Sequence, residues 1–141
     1  MLILLVEPDT DLADMLVYVL QRDGHDVMTA ADEASAVARM LRRTPDAVIT
    51  ELTLPRGSGW SLCKALRAAA NIPLLMLGEA DTTDDYARVL EAGADAYLSK
   101  PISPRLLRAH LHALARRAAP GCDSLLTRGA VRHANSGPVA R

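Results

Sequence analysis

The chain has 141 residues, half of them apolar, which suits one domain with a full-sized core and argues against a disordered chain. With 16 basic and 17 acidic residues there is no global basic excess to suggest that this segment itself binds nucleic acid. Cys63 and Cys122 lie far apart and match no metal spacing, and no disulfide framework is expected. The opening run MLILLV is too short for a signal peptide, and no later run could cross a bilayer, so a reducing cytoplasmic setting without metal or membrane is expected.

Leu2 to Val6 is a continuous aliphatic run, the pattern of a strand buried on both faces. Asp9 can cap a helix in which Leu12, Met15, Leu16, Val19 and Leu20 recur at helical spacing, and Gly24 stops it. Asp26 to Ala30 reads as a second strand. Asp32 caps a helix with the stripe Ala36, Val37, Met40 and Leu41, ending before Pro45. Ala47 to Thr50 is the third buried strand, followed by a loop built on Pro55, Gly57 and Gly59. Ser58 or Gly59 begins a helix carrying Leu62, Cys63 and Leu66. Leu74 to Leu77 is a fourth strand. Asp81 or Thr82 caps a helix with Tyr86, Val89 and Leu90, which Gly93 ends. Ala96 to Leu98 is a brief fifth strand, and Ser103 caps a last helix with Leu106, Leu107, Leu111 and Leu114, closing at Arg116 and Arg117.

Five aliphatic strands alternating with five helices predict an α/β fold around a doubly wound parallel sheet. Residues 1–119 form the predicted domain. From residue 120 the sequence has Gly, Pro, Ser and Asn but no helical stripe, and 120–141 reads as a linker or tail. In such sheets the functional crevice lies at the carboxyl ends of the strands. Those ends carry Glu7, Pro8 and Asp9, then Glu51, then Gly78 and Glu79, then Ser99, Lys100 and Pro101. The result is several carboxylates and one lysine on one rim.

The segments ILLVEPD, PDAVITELTLPRGSGWSLCKALR, IPLLMLGEA and EAGADAYLSKP occur in an order and spacing that resembles the receiver domain of two-component response regulators, over about residues 1–118. The resemblance implies a flavodoxin-like, CheY-like sheet of strand order 2-1-3-4-5. It also implies an aspartate after strand three that takes a phosphoryl group from a histidine kinase, and two acids after strand one that bind Mg²⁺. A hydroxyl after strand four and a lysine after strand five then contact the phosphoryl group, and an aromatic residue in strand five reports the switch. Carried onto this chain, Glu51 takes the phosphoacceptor position, Glu7 and Pro8 the two acidic positions, and Gly78 the hydroxyl position; Tyr97 and Lys100 match as they stand.

The departures have physical consequences. The extra methylene of Glu51 displaces its oxygens in a reaction that depends on positioning. Pro8 offers no ligand, Asp9 is better placed to cap a helix, and Gly78 offers no hydroxyl, so Mg²⁺ binding is expected to be weak or absent and no cofactor is expected. Four readings of Glu51 stay open. It is an unused acid, a permanent mimic of the charged state reaching Lys100, a working acceptor (or one displaced to Asp9), or part of a rim controlled by a ligand or protein partner.

The tail SLLTRGAVRHANSGPVAR resembles the lead-in to the winged-helix domain of OmpR/PhoB-like regulators. That suggests a receiver module of a transcriptional regulator, not an enzyme, independent of aspartyl phosphorylation and contacting DNA only through a domain absent from this chain. A stand-alone protein–protein adaptor is the alternative. A small flavodoxin-like cofactor carrier or enzyme is a third, opposed by the lack of a Gly-rich phosphate loop after strand one. In OmpR/PhoB-like receivers two copies pair through helix four, strand five and helix five. Here that segment offers Val89, Leu90, Asp95, Leu107, His110 and Leu111 as a predicted homodimer face, made more apolar by Leu106. Trp60 is expected to cover the end of the third helix, and His110 and His112 lie on different sides of theirs.

Overall fold

The computed structural model describes residues 1–79 and 83–118. In chain order the elements are β1 (Leu2–Val6), α1 (Thr10–Arg22), β2 (Asp26–Ala30), α2 (Glu33–Arg42), β3 (Ala47–Glu51), α3 (Gly59–Ala69), β4 (Leu74–Gly78), α4 (Thr83–Glu91), β5 (Ala96–Ser99) and α5 (Pro104–Ala118). All strand pairs are parallel, in the order β2-β1-β3-β4-β5. The chain divides into two compact units, Met1–Pro101 with the whole sheet, and a second beginning at Ile102 whose described part is α5 and the residues leading into it.

Every residue of β1, β3 and β4 is buried, as expected of largely aliphatic strands covered on both faces, and Thr50 and Glu51 at the end of β3 are buried with them. Leu4, Val6, Val48, Leu74 and Met76 enter one core with Ala36 of α2, Leu62, Cys63 and Leu66 of α3, and Val89 of α4. Their alternating neighbours Ile3, Leu5, Ile49, Leu75 and Leu77 point to the other face and are equally buried. The edge strand β2 is buried only at Ala30, which fits its mixed composition.

Local signals set the helix ends. The Asp9 carboxylate accepts from the Asp11 and Leu12 amides, Asp32 from Ser35, Ser58 from Ser61 and Ser103 from Leu106. Gly93 has φ +110, the left-handed conformation that ends α4. The expected cap at Asp81 or Thr82, and everything read into Cys122 and the tail, lie outside the described residues.

Three predicted stripes need correcting. On α1, Leu16 and Leu20 are buried as expected, but Met15 is 40% exposed. Val37 and Leu41 were placed on the inner face of α2, but they are 37% and 83% exposed; α2 buries Ala36 and half-buries Met40. Helical spacing alone selected the wrong side because this helix is apolar on its outer side too. On α5, Leu107, Leu111 and Leu114 are buried as expected while Leu106 is exposed.

Candidate functional site

The parallel register brings three strand ends together. Glu7 follows β1, and its amide donates to the Ala30 carbonyl at 3.0 Å. Glu51 ends β3 opposite Leu77, and the Lys100 amide beyond β5 donates to the Gly78 carbonyl at 2.9 Å. The side chains of Glu7 and Glu51 are buried while Lys100 keeps an edge toward solvent.

Each carboxylate is held at both oxygens. Glu7 Oε2 accepts from the Asp9 amide at 3.1 Å, and Glu51 Oε2 from the Thr53 amide at 3.2 Å. The other oxygens face the Lys100 ammonium, which lies 3.3 Å from Glu7 Oε1 and in close contact with Glu51 Oε1. Lys100 is therefore what neutralises them, and an unneutralised buried carboxylate would be costly.

Two acids on one ammonium leave an excess negative charge, and the protonation preferences reflect it. Burial pushes the Glu7 carboxyl above its ordinary value, and the Glu51 charge adds to that, against the opposing pull of the Asp9 amide and Lys100. For Lys100, partial burial favours the neutral amine, but hydrogen bonding and charge from Glu51, then from Glu7, outweigh it and hold the ammonium above its usual range.

Gly78 shapes the wall of this site. A Cβ there would stand 3.0 Å from Leu52 Cβ, 3.2 Å from the Tyr97 hydroxyl and 3.5 Å from Glu51 Oε2. The missing side chain thus leaves room for the Leu52 side chain and the Tyr97 hydroxyl to lie close to the end of β4. Tyr97 is buried, with its ring edge-on to Tyr86 at 5.8 Å. Gly59 matters in the same way, since a Cβ would come within 2.6 Å of the Glu51 carbonyl.

Of the residues the sequence singled out, the structure brings together Glu7, Glu51, Lys100, Gly78 and Tyr97. Pro8 is half-buried and adds no ligand. Asp9 is exposed, and its carboxylate caps α1. Both buried carboxylates serve Lys100, and among the described residues no three His, Cys, Asp or Glu side chains are grouped to hold a metal ion. Most of the residues predicted for a dimer face are not exposed. Val89, Leu107 and Leu111 are fully buried within the chain, and Asp95 pairs with Arg67 at 2.8 Å, so none of these is a free surface group; Leu90 and His110 are half-buried. Trp60 packs against the core with the Arg88 guanidinium 4.8 Å from its ring centre.

Sequence reading missed Glu33, which bonds to Ser58 and Ser61, and Arg67, which bonds to Gly93, Ile72 and Asp95. All but one of these contacts join residues 25 or more apart, beyond any local pattern. The one available signal for Glu33 was a turn glycine, Gly57, whose conformation makes room for something.

Residues 3–112 match the response regulator receiver domain family. The chain is 37% identical over 137 residues to the sensory transduction protein RegX3 of Mycolicibacterium smegmatis, covering 97% of this chain and 59% of that protein. It is 38% identical over 115 residues to the DNA-binding response regulator MtrA of Mycobacterium leprae, covering 82% and 51%. The chain thus spans little more than half the length of these relatives. Among solved structures, the Francisella response regulator 1452 receiver domain aligns with a TM-score of 0.80 at 27% identity over 84% of this chain and 98% of that one. The BeF3-activated N-terminal receiver domain of Klebsiella pneumoniae RstA gives 0.76 at 28% over 79% and 96%. No described helix is long and apolar enough to cross a membrane. With its sheet order, its strand-end site and this match over most of its length, the chain belongs to the response regulator receiver family.

Proposed function

We propose that this chain is the receiver module of a signal-responsive transcriptional regulator whose site is set by its own Glu51–Lys100 contact and not by aspartyl phosphorylation. The observation that carries the reading is that Lys100 already engages both buried carboxylates, Glu51 most closely. A nucleophilic carboxylate needs an oxygen free to attack in line. Glu51 has one oxygen on the ammonium and the other on the Thr53 amide. Glu51 then stands where an acceptor would carry its phosphoryl group, with the lysine already on it and the Tyr97 ring already buried.

DNA contact, in this reading, belongs to sequence beyond the receiver, as the name of the MtrA relative suggests. Output from the receiver is contact with a protein partner or a second copy. Leu106, 48% exposed, is the apolar residue to test for self-association. Sedimentation across micromolar concentrations should show an association that Leu106→Glu weakens; a monomer at all concentrations would remove dimerisation from the account.

Incubation with acetyl phosphate and Mg²⁺, followed by intact mass measurement, tests the chemistry. The expected result is no added phosphoryl mass. A stable adduct lost in Glu51→Gln would make Glu51 a working acceptor and end the reading.

A further inference from the structure

We propose that Glu33, at the start of α2, is the positioning residue that holds the Glu51 carboxylate against Lys100. This rests on the reading that the Glu51–Lys100 contact sets the site.

The link runs through the loop between β3 and α3. Glu33 Oε1 accepts from the Ser58 amide at 3.2 Å, and Glu33 Oε2 from the Ser61 hydroxyl at 2.8 Å. Gly57 has φ +122, and the space a Cβ would take there is filled by the Glu33 carboxylate. Gly57 thus supplies both the left-handed turn and the room for the acid. Ser58 pairs across the loop with Thr53 in an isolated antiparallel bridge, and the Gly59 amide donates to the Leu52 carbonyl at 2.8 Å. Thr53 in turn gives its amide to Glu51 Oε2. Every step from Glu33 to Lys100 is therefore a hydrogen bond, a backbone bridge or an ion pair. The loop hydrogen-bonds to the sheet through the Leu52 amide, 2.7 Å from the Leu77 carbonyl, and is tied at its far end by Glu33.

The arrangement makes the start of α2 a place from which the rim can be controlled. Glu33 is only half-buried, so a cationic side chain of a partner can compete for its carboxylate. Drawing Glu33 away from Ser58 and Ser61 loosens the bridge, frees the Thr53 amide and removes one of the two holds on Glu51.

The test uses the full chain, isotope-labelled, with Glu33→Ala, Glu33→Gln and Lys100→Met. Glu33→Ala should speed amide exchange at Ser58 and Thr53 about tenfold, the effect of losing a hydrogen bond to a charged acceptor. It should also move the Glu51 side-chain carbonyl carbon resonance toward its position in Lys100→Met, while the Leu4 and Met76 amides keep their protection. Glu33→Gln, which still offers an oxygen to Ser58, should restore both. Faster exchange at Ser58 with Thr53 and Glu51 unchanged would overturn the proposal, because Glu33 would then anchor only its own loop. If Glu33→Ala fails to fold, Ser61→Ala should give a smaller shift of the same sign, and an unmoved Glu51 resonance overturns the proposal. A Glu51 resonance that Lys100→Met leaves in place overturns the underlying reading instead.

Discussion

The two ends of the sheet each hold a partly buried cation with an acid, and they differ in how completely the charges are matched. At the amino ends of β4 and β5, Arg67 donates to the Gly93 carbonyl at 2.8 Å, the Ile72 carbonyl at 2.6 Å and Asp95 at 2.8 Å, while Asp95 also accepts from the Leu74 amide at 2.8 Å. One cation meets one acid, and the planar fork finds three acceptors. At the carboxyl ends, one ammonium serves two buried carboxylates. The first end is matched for stability. The second carries an excess acid that stability alone does not call for, and it is the end where this class of fold places its chemistry. The difference distinguishes a charge-matched ion pair from an unmatched one without appeal to motif.

Breaking the matched end should have the largest effect. Arg67→Met leaves Asp95 without its cation and two carbonyls without donors, and should destabilise by about 3 kcal/mol in urea unfolding. A loss below ~1 kcal/mol would mean that Arg67 is no more than a surface pair. Lys100→Met should cost less, about 2 kcal/mol at neutral pH, because Glu7 and Glu51 each keep an amide donor, from Asp9 and Thr53. That loss should shrink in acid, where the raised Glu7 carboxyl takes up a proton, and a pH-independent loss would point to packing and not charge.

Gly78→Ala probes the wall of the unmatched end. Its methyl meets Leu52 and the Tyr97 hydroxyl at the limit of contact, so a cost of about 1 kcal/mol is expected. Tyrosine fluorescence should report the displaced ring; an unchanged signal with unchanged stability would show that the wall yields freely.

The smallest effect concerns the excess acid itself. The Glu7 carboxyl is raised above its ordinary 4.5 by burial. A raised carboxyl contributes its full stability below the unfolded value and loses it as pH rises through the folded one. Wild type should therefore fall in stability relative to Glu7→Gln as pH rises from about 4.5 toward neutral. At neutral pH the variant should be as stable as wild type or more so. A variant clearly weaker there would mean that ionised Glu7 is a net asset.

The strands were legible from their largely aliphatic character, and all five begin at the predicted residue and end within one residue of the prediction; β1 and β2 match at both ends. The rim was legible because a parallel sheet gathers strand ends, so Glu7, Glu51, Gly78 and Lys100 could be named before their distances were known. What was not legible was which side of an apolar helix turns inward: Val37 and Leu41 of α2 carried the same spacing as a core stripe, and Leu107 and Leu111 of α5 the same character as an interface. Nor could Asp95 be assigned, since its partner Arg67 lies 28 residues away. Glu33 escaped for the same reason, because its carboxylate works on a loop 25 residues downstream.

The central claim is that the protein's own lysine–glutamate contact sets the rim. It is tested most directly by amide spectra of Thr53, Gly78 and Tyr97 in wild type, in wild type with Mg²⁺ and acetyl phosphate, and in Lys100→Met. The account predicts wild-type spectra unmoved by the donor and clearly moved by Lys100→Met. Spectra that shift with the donor and ignore Lys100→Met would contradict it.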